Sequence, residues 1–253
     1  MSCCVVSAYY QVPSKNPSTA YLQWMEPFFR NSTFPLVLFT EPQYIALFSE
    51  WREHCKEKTI FVCLPFQELT SIKRWGAHMW MEQKQKDTEE NHTPQLYCLW
   101  YEKKEFVRRA IEMEAFGAEK FVWCDAGILR YPEWHPFIHL FPQAERIESG
   151  KMTLLQIADF MESDTEETDF GMRNHVGGGI QAADRETWLW WCDEYDAMMN
   201  TYIASNRFVG KDQHLMASCY LRWKERVVLV RPPSGFHPIA MWFWLLPWLA
   251  GVA

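Results

Sequence analysis

No pair of cysteines in this chain has the C-x-x-C spacing, so its eight cysteines do not spell a zinc ribbon. Several of them sit inside apolar runs, such as Cys63 and Cys124, and read as buried free thiols in a reducing compartment. Positive charge is not in surplus: 25 Lys and Arg stand against 32 Asp and Glu, a formal net charge of -7. That balance excludes a broad nucleic-acid face, which needs basic patches to neutralise phosphates, but not a small anionic ligand held by a local cluster. The first ten residues are apolar but carry no basic n-region and no small-residue cleavage site, so no signal peptide is expected. No apolar run is long enough for a bilayer. The longest candidate, residues 239–253, is short and contains Pro247. Three placements stay open for it: against the core, against a membrane surface, or against another chain. Internal repeats and low-complexity linkers are also lacking, and a soluble cytoplasmic protein is the expectation.

Aromatic residues, by contrast, are plentiful at 16%, with 14 Trp. Side chains of that size belong in a core, a groove or an interface. With 48% hydrophobic residues the chain has material for a sizeable core.

Short β-rich runs alternate with helical stretches. Residues 3–10 form a nearly continuous apolar run, as in a strand buried on both faces. Residues 35–40, 59–64, 120–124 and 227–230 read as further strands. Helices are expected over 19–30 with Ser18 as N-cap, and over 43–56, 97–114, 185–204 and 212–223, with partial helix over 68–90. Pro27 is expected to kink or end the first helix. Residues 128–149 read as loop or short turns, and 175–182 as a glycine segment leading into a strand. The alternation predicts a mainly parallel sheet covered by helices, with ligands beyond the carboxyl ends of the strands.

Five places could carry chemistry. Asp125 directly follows a strand and would stand at the ligand edge, where a carboxylate can bind a divalent metal or merely cap a turn. The consecutive glycines Gly177, Gly178 and Gly179 let a backbone approach a ligand closely, or form an ordinary loop. They match neither a P-loop nor a dinucleotide fingerprint. Asp212 opens a helix, as a first-turn carboxylate or as a base aimed into a cleft. His237, in a Pro- and Gly-rich loop, could complete a metal site or be bland. Lys103 could reach a phosphate or donor sugar, or be solvated, while Lys104 is expected to face solvent.

In order along the chain, VVSAYYQVPSKNPS, PLVLFT, LWYEKKEFVRRAIEMEAFGAEKFVWCDAG, GGGIQAA and FVGKDQHLM resemble the HtrL/YibB family. The resemblance runs over nearly the whole chain, and its most specific blocks are residues 103–127 and the opening AYY. It implies a GT-A-like (nucleotide-diphospho-sugar transferase) fold: a three-layer α/β/α domain with a mainly parallel central sheet. The implied single domain has a nucleotide-binding half over 1–127 and an acceptor-side half over 128–253. Bacterial members are associated with surface-polysaccharide or lipopolysaccharide gene clusters. The implied ligands are therefore a nucleoside-diphosphate sugar donor and a glycan or glycoconjugate acceptor. Residue by residue, Ser7, Ala8 and Tyr9 match the strand end that holds base and ribose. Lys103 matches the family lysine on the helix before the acidic strand end. Asp125 takes the place of a D-x-D motif whose second acid is missing here, since Ala126 and Gly127 follow. Gly177, Gly178 and Gly179 with Asp212 and Gln213 match segments facing the donor and acceptor sugars. The expected mechanism is glycosyl transfer with Asp212 as base, Lys103 adding positive charge, and a Mn²⁺ or Mg²⁺ ion at Asp125 and His237. The alternatives are a sugar nucleotidyltransferase, disfavoured because the loop after the first strand lacks glycine, and a non-catalytic glycan- or partner-binding protein.

Overall fold

The computed structural model describes residues 2–253. In chain order the strands are β1 (Cys3–Tyr9), β2 (Leu36–Thr40), β3 (Thr59–Cys63), β4 (Lys120–Cys124), β5 (Met152–Gln156), β6 (Val176–Asp184) and β7 (Val227–Val230). The helices are α1 (Ser18–Asn31), α2 (Ile45–Trp51), α3 (Thr70–Lys86), α4 (Pro94–Glu112), α5 (Arg185–Ala204), α6 (Asp212–Arg222) and α7 (Leu245–Leu249). All seven strands join one sheet in the order β3-β2-β1-β4-β6-β5-β7. Pairing is parallel from β3 through β2 and β1 to β4, antiparallel on both sides of β6, and parallel again between β5 and β7.

Strand side chains alternate between two cores, because successive residues of a strand point to opposite faces. Val6, Val37, Phe39, Phe121 and Leu154 join helices α3 to α6 on one face. Val5, Leu36, Leu38, Val122 and Leu155 join α1, α2 and α7 on the other. The result is the expected three-layer α/β/α arrangement with a mainly parallel sheet. The apolar C-terminal run lies in the second core, where Leu245, Leu246, Leu249 and Ala250 are buried. Gln143 ties it down, donating from its backbone to Leu249 O (2.8 Å) and from its side chain to Ala250 O (2.9 Å). Of the three placements open to that run, packing on the core is the one observed. Among the described residues, no helix is long and apolar enough to cross a membrane.

Several local expectations need correction. Pro17, not Ser18, precedes the first helical residue of α1, and Pro27 sits inside that helix without ending it. The stretch over 43–56 breaks into α2 flanked by 3₁₀ turns. The glycine segment is not a loop: all three glycines lie within β6.

Helix α4 departs most from an amphipathic surface helix. Four consecutive charged residues, Glu102, Lys103, Lys104 and Glu105, are buried. Each has a partner from another segment or from its own turn, as buried charge requires. Glu102 accepts from the backbone N–H of Thr70 (2.9 Å) and Ser71 (2.7 Å), closing the open N-terminus of α3. Lys104 does not face solvent: its Nζ contacts Asp196 Oδ1 at 2.8 Å and also pairs with Glu105.

Candidate functional site

A cleft of about 1010 Å³ opens at the carboxyl ends of β1 and β4. One wall is the β1–α1 connection from Ala8 to Ser18. α4 adds Leu99, Trp100 and Lys103, and the segment near the C-terminus adds Ile239, Trp242 and Phe243. Asp125, Gly178, Gly179, Asp212 and Gln213 form its floor.

The floor is built by strand register. β4 runs antiparallel to β6 up to Cys124 opposite Ile180, and Asp125 N–H extends the ladder by donating to Gly179 O at 2.8 Å. This places the carboxylate beside the glycines. Between Leu154 and Leu155 of β5 the partner jumps from Gln181 to Gly177, a bulge that leaves Gly178, Gly179 and Ile180 unpaired on that side. Asp212, on the first turn of α6, fills the space. A Cβ at Gly178 would lie 2.3 Å from Asp212 Oδ2, so only glycine admits this carboxylate.

Lys103 ties the floor together. Its Nζ donates to Gly178 O at 2.9 Å and lies 3.2 Å from Asp125 Oδ1. It is also 2.9 Å from Asp212 Oδ2, an ion contact rather than an aligned hydrogen bond. Burial works against the lysine's charge, but the two carboxylates outweigh it and hold its pKa above the ordinary lysine value. Trp123 Nε1 donates to Asp125 Oδ1 at 2.9 Å and fixes that side chain from the other side. Desolvation at the cleft floor, with help from the Asp212 charge, raises the Asp125 carboxyl above the usual carboxylate value despite Lys103. Asp125 still keeps 40% of its side-chain surface open to the cleft, against 4% for Asp212.

Of the residues singled out in the sequence, Ala8, Tyr9, Lys103, Asp125, Gly178, Gly179, Asp212 and Gln213 meet in this cleft. Three do not. Ser7 is fully buried and donates to Cys124 O at 2.7 Å, so it pins β1 to the strand end just before Asp125 rather than touching a ligand. Gly177 packs under Leu155, where a Cβ would meet Leu155 at 3.0 Å. His237 is exposed in the loop after β7, and its Nδ1 accepts from Ile239 and Ala240 N–H at 3.3 Å each.

The residues present do not fit a divalent ion held by Asp125 and His237. The histidine does not line the cleft, and the ammonium of Lys103 already stands between the two carboxylates. Among the described residues, no three His, Cys, Asp or Glu side chains come together to hold an ion.

Sequence reasoning missed Trp100, Arg130, Trp242 and Phe243, all of which line the cleft. The abundance of Trp hinted at a groove but not at which rings form it. Arg130 lies in a stretch read only as loop.

Fold and cleft together define a three-layer α/β protein with a ligand-sized site at the carboxyl edge of its sheet, the usual place for ligands in such sheets. The chain belongs to the HtrL_YibB family, described as a bacterial protein of unknown function, which matches residues 73–232. No curated protein matches it. Two solved structures are similar in outline. One is a glycosyltransferase involved in the glycosylation of the major capsid of PBCV-1, at 12% identity over 92% of this chain and 82% of that one, with a TM-score of 0.44. The other is mouse xyloside xylosyltransferase 1 in its apo form, at 10% identity over 90% and 84%, with a TM-score of 0.48.

Proposed function

We propose that this protein is a GT-A-type glycosyltransferase that moves a sugar from a nucleoside-diphosphate sugar to a hydroxyl of a glycan or glycoconjugate. The observation that carries the reading is the floor of the cleft, where one buried lysine holds two carboxylates and a strand carbonyl at the carboxyl edge of the sheet. Two carboxylates stand here against one ammonium, so the formal charge of the group is negative. Negative charge of that kind favours the positive character that builds on the anomeric carbon as the bond to the diphosphate breaks. It also supplies acceptors for the donor's sugar hydroxyls. The aromatic walls, with Tyr9, Trp100 and Trp242, offer faces for a base and a sugar ring.

In transfer, the C1–O bond to the diphosphate breaks and a C1–O bond to the acceptor forms. The acceptor hydroxyl gives up its proton. Asp125 suits that proton better than Asp212. It is open to the cleft, and its raised pKa brings it nearer working pH. Asp212, buried beneath Gly178 and held by Lys103, positions the lysine and, through it, Asp125.

The test is turnover. Incubated with UDP-, GDP-, CMP- and dTDP-sugars, the wild type should release nucleotide from at least one of them. Asp125→Ala should cut that release by about 10²-fold or more. Undiminished release by Asp125→Ala would contradict the proposal.

A further inference from the structure

The floor of the cleft is a poor place for a diphosphate, because two carboxylates flank the single lysine there. The anion must sit where positive charge is not already matched. Four basic side chains line the cleft: Lys15, His92, Lys103 and Arg130. Lys103 is held as described. His92 lies between Asp87 (2.8 Å) and Glu89 (3.3 Å). Among the described residues, neither Arg130 nor Lys15 has a carboxylate within ion-pair distance.

Arg130 is also held in place. Its Nε donates to Gly127 O at 3.1 Å, which ties it to the turn after Asp125. Its guanidinium carbon lies 4.1 Å from the Trp24 ring centre and 4.8 Å from that of Phe243. Stacking on rings fixes the plane of a guanidinium while leaving its edge N–H groups able to bond in the plane. An arginine fixed in this way matches two phosphate oxygens at once. Phe243 comes from the C-terminal segment, so that segment's packing on the core also sets the arginine's position.

We infer that Arg130, assisted by Lys15, forms the diphosphate site of this cleft, and that it holds a nucleoside diphosphate without a divalent cation. The inference rests on the glycosyltransferase reading and adds to it the group that receives the leaving diphosphate. Both side chains line the same cleft, and their two positive charges roughly match the charge of the diphosphate. The lysine between the two floor carboxylates takes the space a cation would need.

Calorimetric titration of the whole protein with UDP, GDP, dTDP and inorganic pyrophosphate, in EDTA and again with Mn²⁺, tests this. The expected result is binding of at least one nucleoside diphosphate in EDTA, within twofold of its affinity with Mn²⁺. Arg130→Met should weaken that binding at least tenfold and Lys15→Met at least threefold. Lys15 is exposed on a loop, so its variant is free of folding effects. Binding only with Mn²⁺, or unchanged affinity in both variants, overturns the inference while leaving the glycosyltransferase reading standing. Pyrophosphate binding that depends on Arg130, with no nucleoside diphosphate bound under either condition, overturns the donor reading and keeps the anion site. No binding of any of the four overturns both.

Discussion

Replacing Lys103 by Met removes one charge and leaves two carboxylates and the Gly178 carbonyl facing an apolar side chain. In the wild type Lys103 is 6% exposed, and its ammonium touches Asp212 at 2.9 Å, Asp125 at 3.2 Å and Gly178 O at 2.9 Å. Removing one partner of a buried ion pair costs about 3–5 kcal/mol. Asp125 is reached by solvent, so the lower end, about 3 kcal/mol at pH 7.5, is the expected loss. The pH dependence makes the prediction specific. Without the lysine, desolvation and the Asp212 charge act on Asp125 unopposed, so its folded-state pKa, already raised, moves further above the unfolded value. Stability tied to a raised pKa is present below the unfolded pKa and is lost as pH rises through the folded one. The gap between wild type and variant should therefore be wide at pH 7.5 and narrower at pH 5. Urea unfolding followed by tryptophan fluorescence at both values measures it. Adding Asp212→Asn to Lys103→Met should recover part of the loss, with a coupling energy above about 1 kcal/mol. A loss below about 1 kcal/mol, equal at both pH values, would show that Lys103 is solvated and would refute the reasoning.

Two further outcomes follow from the same structure. Gly178→Ala should destabilise the fold by about 1–3 kcal/mol and abolish ligand binding, since the new methyl meets the Asp212 carboxylate. Gly177→Ala meets the apolar side chains of Leu155 and Ile157 rather than a carboxylate and should leave binding intact, so equal effects in unfolding and binding assays would contradict the assigned geometry. His214 is buried, and desolvation, aided by Lys211, lowers its pKa from 6.5 to about 4. Its contribution is present above pH 6.5 and is lost as pH falls toward 4, about 3 kcal/mol in all. In urea titrations across that window, His214→Leu should lose less stability than the wild type, and parallel curves would contradict the assignment.

Much of the sheet was legible because apolar runs and periodicity report burial directly. β4, β7 and α5 fall where the pattern puts them. β5 escaped notice because it is five residues long and follows a proline- and charge-rich stretch with no local signal. The glycines of β6 read as a loop because glycine is a poor strand former, and their extended course depends on partners remote in sequence: Leu155 opposite Gly177, and Asp125 N–H donating to Gly179 O. The site was half legible. Asp125 and Asp212 stand out by position, at a strand end and a helix start. The buried charge of α4 does not, because Lys104 is neutralised by Asp196, which is remote in sequence. Arg130 was missed for the same reason: the rings of Trp24 and Phe243 that hold it lie far along the chain.

The most direct measurement is the unfolding temperature of the wild type with UDP-, GDP-, CMP- and dTDP-sugars, each at about one hundred times its dissociation constant or at the highest soluble concentration. Ligand binding to the native state alone stabilises it by about 2.7 kcal/mol at that ratio, worth about 5 °C for a chain of this size. The account predicts such a rise for at least one donor, and a smaller one in Arg130→Met. An unfolding temperature that no nucleotide sugar moves, with or without Mn²⁺, would contradict it.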